Sequence, residues 1–139
     1  MIALLGACAS FAINFNDENS VAALRQHLKR YLRIRSLFAV DYYPLTEWNN
    51  DPTQWLAFQF HDPAKDEGFV QAFCGADAKE QSRQLKLRGL NPSKTYYFTD
   101  WDNPSMKTTL RSPELMEKGI EVKANKGDNA LVLFYSSQP

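Results

Sequence analysis

Only two cysteines, Cys8 and Cys74, occur in 139 residues, too few for a disulfide framework. A single bridge between them is open, but each sits among small residues without a partner motif, and both are read as free thiols. Histidine is equally sparse. His27 and His61 lie far apart with no cysteine cluster near either, so no metal-ligand spacing exists. No Gly-rich run precedes a helix, which removes a phosphate loop, and neither histidine stands in a nucleophile motif. No cofactor and no metal is expected. Charge of one sign is also lacking: 16 Lys plus Arg balance 16 Asp plus Glu, for a formal net charge of +0. Without a basic excess to neutralise phosphates, nucleic acid is not an expected partner. No apolar run approaches the ~18 residues of a membrane span, so a membrane is not expected either. Internal repeats and low-complexity tracts are absent.

What is present is an ordinary globular composition, 44% hydrophobic with a high aromatic share of 13%. Such a chain supports one compact domain with at most a short appendage. Leu5-Gly6-Ala7-Cys8 looks like a lipoprotein cleavage box. The segment before it has no Lys or Arg, and its apolar run is about four residues against the usual ~7–15. A signal peptide is therefore not expected, and the compartment is left open. Phe11, Ile13 and Phe15 alternate as in a short strand. Asn16 to Ser20 supply capping oxygens and negative charge. Val21, Leu24, Leu28, Tyr31 and Leu32 then recur at three- and four-residue steps, predicting an amphipathic helix from about Ser20 to Leu37. Its basic face, Arg25, Lys29, Arg30 and Arg33, reads as solvated surface. The apolar stripe is expected to be a contact face and a route to self-association.

Beyond Pro44 the period changes to two. Leu56, Phe58 and Phe60 share one face of a strand, and Phe69, Gln71 and Phe73 form its return partner after a turn-rich Asp62 to Gly68. Gly75 to Gln84 reads as a loop. Leu85 and Leu87 alternate with Lys86 and Arg88. Gly89, Asn91 and Pro92 turn the chain, and Tyr96 to Trp101 is an aromatic strand. Ile120, Val122 and Ala124 alternate, Asn125 to Asp128 turns, and Ala130 to Tyr135 is a continuous apolar run suited to a central strand. Six or so short strands with regular turn signals predict a mainly β fold: an antiparallel β-sandwich of Greek-key type preceded by one amphipathic helix.

Leu85-Lys-Leu-Arg-Gly-Leu-Asn-Pro-Ser-Lys-Thr-Tyr-Tyr-Phe-Thr-Asp100 resembles a segment of the C-terminal sandwich of α-galactosidase-like glycoside hydrolases, family 36 and relatives. That sheet carries a leucine, glycine-leucine-aspartate-proline, tyrosine, valine corner. Asp41-Tyr-Tyr-Pro-Leu-Thr46, following Arg33-Ile-Arg35, is similar to the family's junction between last barrel helix and sandwich. Val40 stands where glycine is common. Ser112-Pro-Glu-Leu-Met-Glu-Lys-Gly-Ile-Glu-Val122 resembles another family segment, with Pro113 in place of a glycine. Ala130 to Tyr135 resembles the last strand, and Gly6 to Asp17 the end of the barrel. The four sandwich motifs keep the family's order at sensible spacing.

The resemblance implies two parts: residues 1–40 as the remnant of the end of a (β/α)8 barrel, and residues 41–139 as a C-terminal β-sandwich domain. It implies a tail fragment whose partner is the catalytic barrel of the parent enzyme, and whose role is to brace that barrel. Retaining glycosidases need two carboxyl groups about 5–5.5 Å apart. In the family both come from barrel strands that would precede Met1, so no catalytic residue carries over. Asp100-Trp101-Asp102 puts two aspartates on one strand face, but it reads as a strand end whose aspartates cap the Asn103-Pro104 turn. The alternative function is a free-standing carbohydrate-binding or protein-interaction module. An immunoglobulin-type interaction module stays open on strand count alone, and its missing cysteine-tryptophan-cysteine spacing ranks it lower. Tyr42, Tyr43, Trp48, Trp55 and Trp101 offer flat faces to a weakly bound carbohydrate, against a reading in which they fill the core and the seam to the barrel. Trp48 with Asn49, Asn50 and Asp51 is the candidate sugar contact, since its polar neighbours predict exposure.

Overall fold

The computed structural model describes residues 14–105, 107–124 and 129–138. Within them the chain runs α1 (Glu18–Ile34), a short 3-10 helix (Arg35–Ala39), β1 (Asp41–Pro44), β2 (Trp55–Asp62), β3 (Glu67–Cys74) and β4 (Ser82–Leu85). It continues with β5 (Thr95–Asp100), β6 (Lys107–Arg111), α2 (Ser112–Glu117), β7 (Ile120–Lys123) and β8 (Ala130–Ser136). Six strands form one antiparallel sheet in the order β1-β2-β3-β8-β5-β6, and β4 pairs with β7 in a second. The last strand returns past β7 to lie between β3 and β5, a long-range closure of the kind that defines Greek-key folds. The mainly β, helix-first architecture is the expected one.

The small sheet and α2 cover one face of the large sheet. There Trp55, Ala57, Val70, Ala72, Tyr96, Phe98 and Tyr135 meet Leu85, Leu87, Leu115, Ile120 and Val122 in one buried cluster. The opposite face carries α1 and the 3-10 helix. Ile34 and Leu37 are buried there against Phe69 and Val132, with Phe38, Phe60, Trp101 and Phe134 packed around them. Burying each of these two aliphatic side chains contributes about 1.5–3 kcal/mol, which fastens the helix to the sheet.

Local chemistry explains the boundaries. Asp17 caps α1, accepting from the Asn19 amide and from the Ser20 hydroxyl. Those bonds to Ser20 and Asn19 hold its carboxyl below the usual value. The helix ends at Ile34 and tightens into a 3-10 helix, so the stretch predicted to Leu37 is two elements. Val40 is extended, at φ −106°, a conformation that does not need the family's glycine. Pro113 sits in the first turn of α2, where a missing N–H is harmless. Gly119 closes that helix at φ +89° and donates to the Glu114 carbonyl at 3.0 Å, as a left-handed C-terminal residue does.

Several expectations shift. The helix contact face holds in part: Val21, Leu24 and Tyr31 are half-buried as expected, His27 and Arg30 join them, and Leu28 is 44% and Leu32 57% exposed. Each helical step rotates a side chain by roughly 100°, so a stripe two residues wide can contact the sheet along only one edge. The strand expected over Leu85–Leu87 is instead Ser82–Leu85: it begins inside the segment read as a loop and ends before Lys86. Leu85 and Leu87 are nonetheless both buried, with Lys86 and Arg88 exposed. β1, β6 and α2 had no counterpart in the pattern. Of Phe11 to Phe15 only Asn14 and Phe15 are described, and Phe15 lies in a turn. Cys8 and the Asn125–Asp128 turn lie outside the described residues. Cys74 is free and buried, and burial pushes its thiol up.

Candidate functional site

The face of β2 that looks into the sandwich is not the aromatic one. Trp55, Ala57, Gln59 and His61 point inward, while Leu56, Phe58 and Phe60 face the helix side and are half-buried. Two polar residues thus enter the core and must find partners there. Gln59 does so by imitating a strand. Its Nε2 donates to the Arg88 carbonyl at 2.8 Å, and its Oε1 accepts from the Arg88 amide at 2.8 Å. The same Nε2 donates to the Tyr135 hydroxyl at 2.9 Å, which lies 3.2 Å from His61 Nδ1. Burial pushes the Tyr135 hydroxyl far up its scale. It also lowers His61, against the opposing pull of the Asp66, Asp41 and Asp62 carboxylates.

This network anchors the Gly89-to-Pro92 corner. Gly89 adopts φ +69°, and a Cβ there would stand 2.4 Å from the Tyr43 hydroxyl. The Tyr96 hydroxyl accepts from the Asn91 amide at 3.1 Å and donates to Asp66 Oδ1 at 3.0 Å, the bonding of a tyrosine corner. Desolvation pushes that phenol up to about 12. The cluster is closed and tied to backbone. It is architectural and offers no opening to a reactant.

The residues proposed from sequence fall elsewhere. Trp48 is 73% exposed in the connection between β1 and β2. Asn49 donates to the Glu47 carbonyl at 3.2 Å and accepts from the Asp51 amide at 3.1 Å. Asp51 accepts from the Thr53 amide at 2.8 Å and the Thr53 hydroxyl at 2.7 Å, which holds its carboxyl below the usual value. Asn50 is exposed. Of the other aromatics, Trp55 is buried, its indole donating to the Glu80 carbonyl at 2.9 Å, and Tyr42 is exposed beside Phe58 and Phe60.

Asp100 and Asp102 are both engaged. Asp100 Oδ1 accepts from the amides of Asp102 and Asn103 at 2.8 and 3.3 Å, the capping role read from the turn. Asp102 pairs with Arg30 at 2.8 Å. That ion pair straps α1 to the end of β5. Among the described residues no group of three or more His, Cys, Asp or Glu could hold a metal.

The concavity with the richest chemistry lies beside that strap. A groove of about 530 Å³ runs between the second half of α1 and the outer face of β5, β6 and β8. Its floor is aromatic: Tyr97, Trp101 and Phe134. Arg33 stands on the helix side and Glu67 on the sheet side, and both also border a smaller niche of about 210 Å³ over Trp101 and Phe134. Thr99, Thr109 and Ser136 add hydroxyls along the floor. Trp101 was among the aromatics singled out from sequence; the groove as a whole was not. Its traces were the alternation Tyr97-Thr99-Trp101 and the Arg30, Arg33 spacing on a helix face read as solvated.

A model of the family described as "Glycosyl hydrolase family 36 C-terminal domain" matches residues 55–135, more than half of the chain. Among solved structures the chain is similar to the crystal structure of the GH36 alpha-galactosidase AgaB from Geobacillus stearothermophilus, with 21% sequence identity and a TM-score of 0.68. That likeness is one of fold. It covers 86% of this chain and only 16% of that one. No curated protein matches.

Proposed function

This chain belongs to the glycosyl hydrolase family 36 C-terminal domain family, and from that premise we propose that it is the non-catalytic accessory domain of an α-galactosidase-like glycoside hydrolase. Its role is to brace the catalytic (β/α)8 barrel, with residues 1–40 as the end of that barrel and residues 41–139 as the sandwich. The observation that carries this reading is the family match itself, which is to a C-terminal domain. The chemistry agrees. Both carboxylates of the Asp100-Trp101-Asp102 run are committed, one to backbone amides and one to Arg30. Neither is held for proton transfer in the way a glycosidase pair must be. The exposed edge of α1, with Leu28 and Leu32, supplies apolar surface for the barrel, and in a separate chain the same edge supports self-association.

The test is an assay of the purified chain on aryl α- and β-galactosides, repeated with Asp100→Asn. No turnover is expected. Turnover that survives purification and disappears in the variant would overturn the non-catalytic reading. The bracing role is tested by joining the chain to a family barrel lacking its own C-terminal domain. The expected result is a rise in the barrel's thermal stability, and an unchanged barrel would count against it.

A further inference from the structure

Two features of the groove between α1 and β5 set its ligand chemistry. The first is the aromatic floor. Tyr97 and Thr99 share the outer face of β5 and Trp101 follows directly after the strand, while Phe134 and Ser136 lie on neighbouring β8, Phe134 opposite Thr99 and Ser136 opposite Tyr97. Ring faces thus alternate with hydroxyls across two strands. Tyr97 is 37% exposed and Trp101 half-buried, so both rings reach the opening. The second is charge balance. Arg33 faces the groove from the helix and has no ion pair among the described residues, while Glu67 borders it from the sheet and shares Lys65, 3.5 Å away, with Asp62. Arg30 is neutralised by Asp102, and Lys107 is offset by Asp100 on the same lining.

Such a lining does not select an anion or a cation. It provides flat apolar faces, planar donors on one wall and a planar acceptor on the other. An anionic ligand would gain Arg33 and Lys107 but meet Glu67 and Asp100. A purely apolar ligand would cover the unpaired Arg33 guanidinium and offer it no partner. A neutral, hydroxyl-rich ring with one apolar face satisfies both walls and the floor. The volume of about 530 Å³ falls within the usual 300–1,000 Å³ of small-ligand clefts.

We infer that this groove is a carbohydrate-binding site for neutral oligosaccharides, with Trp101 and Phe134 as the stacking platform and Arg33 and Glu67 as the hydroxyl clamps. The site lies on the chain's own residues and needs no catalytic barrel, so it stands or falls separately from the accessory role proposed above. It is also distinct from the Trp48 loop.

The experiment is a titration of the full chain with the neutral disaccharides melibiose, maltose and cellobiose, and with galacturonate as the anionic control. The indole N–H signals of Trp48, Trp55 and Trp101 are followed by NMR and assigned by single Trp→Phe variants. The expected result is a saturable shift of the Trp101 signal with at least one neutral disaccharide, a still Trp48 signal, and weaker binding of galacturonate. Arg33→Met and Glu67→Gln sit on the groove walls outside the core and are expected to fold normally. Each should weaken binding by about tenfold, the effect of losing a hydrogen bond to a charged group. These two variants decide the matter if the Trp101→Phe variant used for assignment fails to fold. No shift of Trp101 at 100 mM of any of these sugars, a shift confined to Trp48, undiminished binding in both wall variants, or galacturonate binding as tightly as the neutral sugars would each overturn the proposal.

Discussion

Replacing Tyr135 by phenylalanine isolates the polar heart of the sandwich. The ring is fully buried, at 0% exposure, and phenylalanine keeps its volume apart from one oxygen. That oxygen accepts from Gln59 Nε2 at 2.9 Å and lies 3.2 Å from His61 Nδ1 and 3.4 Å from the Phe60 carbonyl oxygen. Its single proton serves one of the last two. Gln59 would keep both bonds to Arg88, so its loss is partial. His61 would lose more, because its Nε2 has no hydrogen-bond partner and the ring would be left to its contact with the Glu67 backbone. One lost hydrogen bond costs about 1 kcal/mol, and stranding a buried ring nitrogen a further ~1–3 kcal/mol. Removing a buried hydroxyl returns part of this, so the expected loss is about 2–3 kcal/mol. For a domain of this size that lowers Tm by roughly 2–8 °C per kcal/mol.

The assay is urea unfolding followed by tryptophan fluorescence, with the m-value checked for constancy. Tyr97→Phe is the control. Tyr97 lies on the outer face with 37% exposure, and its change should stay within ±0.5 kcal/mol, as surface substitutions do. The cycle with Gln59→Leu should give a coupling of about 0.5–3 kcal/mol. A loss below about 0.5 kcal/mol for Tyr135→Phe, equal to that of Tyr97→Phe, would refute the reasoning. It would mean that the hydroxyl does not hold the network together.

Further outcomes follow from the same geometry. His61 is buried with its pKa lowered by desolvation, so below its ordinary value near 6.5 the unfolded chain binds a proton that the native state refuses. Stability should therefore be complete above about pH 6.5 and fall as the pH drops toward the native pKa, by at most about 1.4 kcal/mol per pH unit from this group; urea midpoints that do not fall between pH 7.5 and 5, or that fall equally in His61→Phe, would count against it. Gly68→Ala should destabilise more than Gly89→Ala, because a Cβ at 68 meets the Phe60 backbone oxygen, while one at 89 meets the movable end of the Tyr43 side chain and adds left-handed backbone strain of about 1–2 kcal/mol; thermal melts that reverse this order would show that β2 and β3 part for less than that strain costs. Sedimentation at high concentration should show self-association that Leu28→Lys with Leu32→Lys removes, and a strict monomer in the parent chain would end that idea.

The strands that could be read from sequence were those with one wet face and one dry. β5 and β7 alternate, and their buried residues match the pattern. β8, a nearly continuous apolar run from Ala130 to Tyr135, is a central strand between β3 and β5. β1 and β6 escaped because they are the sheet's edges. Asp41–Pro44 has no fully buried residue, and Lys107–Arg111 has only Leu110 half-buried, so neither needs a period. Within β2 the period was plain but its direction was not. Alternation of Leu56, Phe58 and Phe60 with Ala57, Gln59 and His61 identifies two faces, and the aromatic face is the natural choice for a core. The sheet is covered on both sides, however. The layer beneath α1 takes the aromatics, while the tighter seam under β4 and β7 takes Trp55, Ala57 and the Gln59 network. The Arg88 backbone, brought close by the Gly89 corner, and the Tyr135 hydroxyl make Gln59 acceptable inside.

The candidate site shows the opposite limit. Trp48 was a sound forecast of exposure, because Glu47, Asn49, Asn50 and Asp51 around it have no apolar period to bury. Exposure and binding are separate properties, though. The hydrogen-bonding groups of Asn49 and Asp51 are turned back on their own loop, and a ligand would have to compete with those bonds. The groove beside Arg30 and Trp101 draws on residues spread from Arg30 to Gln138. It exists because Ile34 and Leu37 seat the helix over Phe69 and Val132, which fixes how far Arg33 stands from the rings of β5 and β8. No local pattern encodes that distance. Arg33 itself remains exposed, as its position on the basic face suggests, and it borders the groove only because the helix is seated where it is.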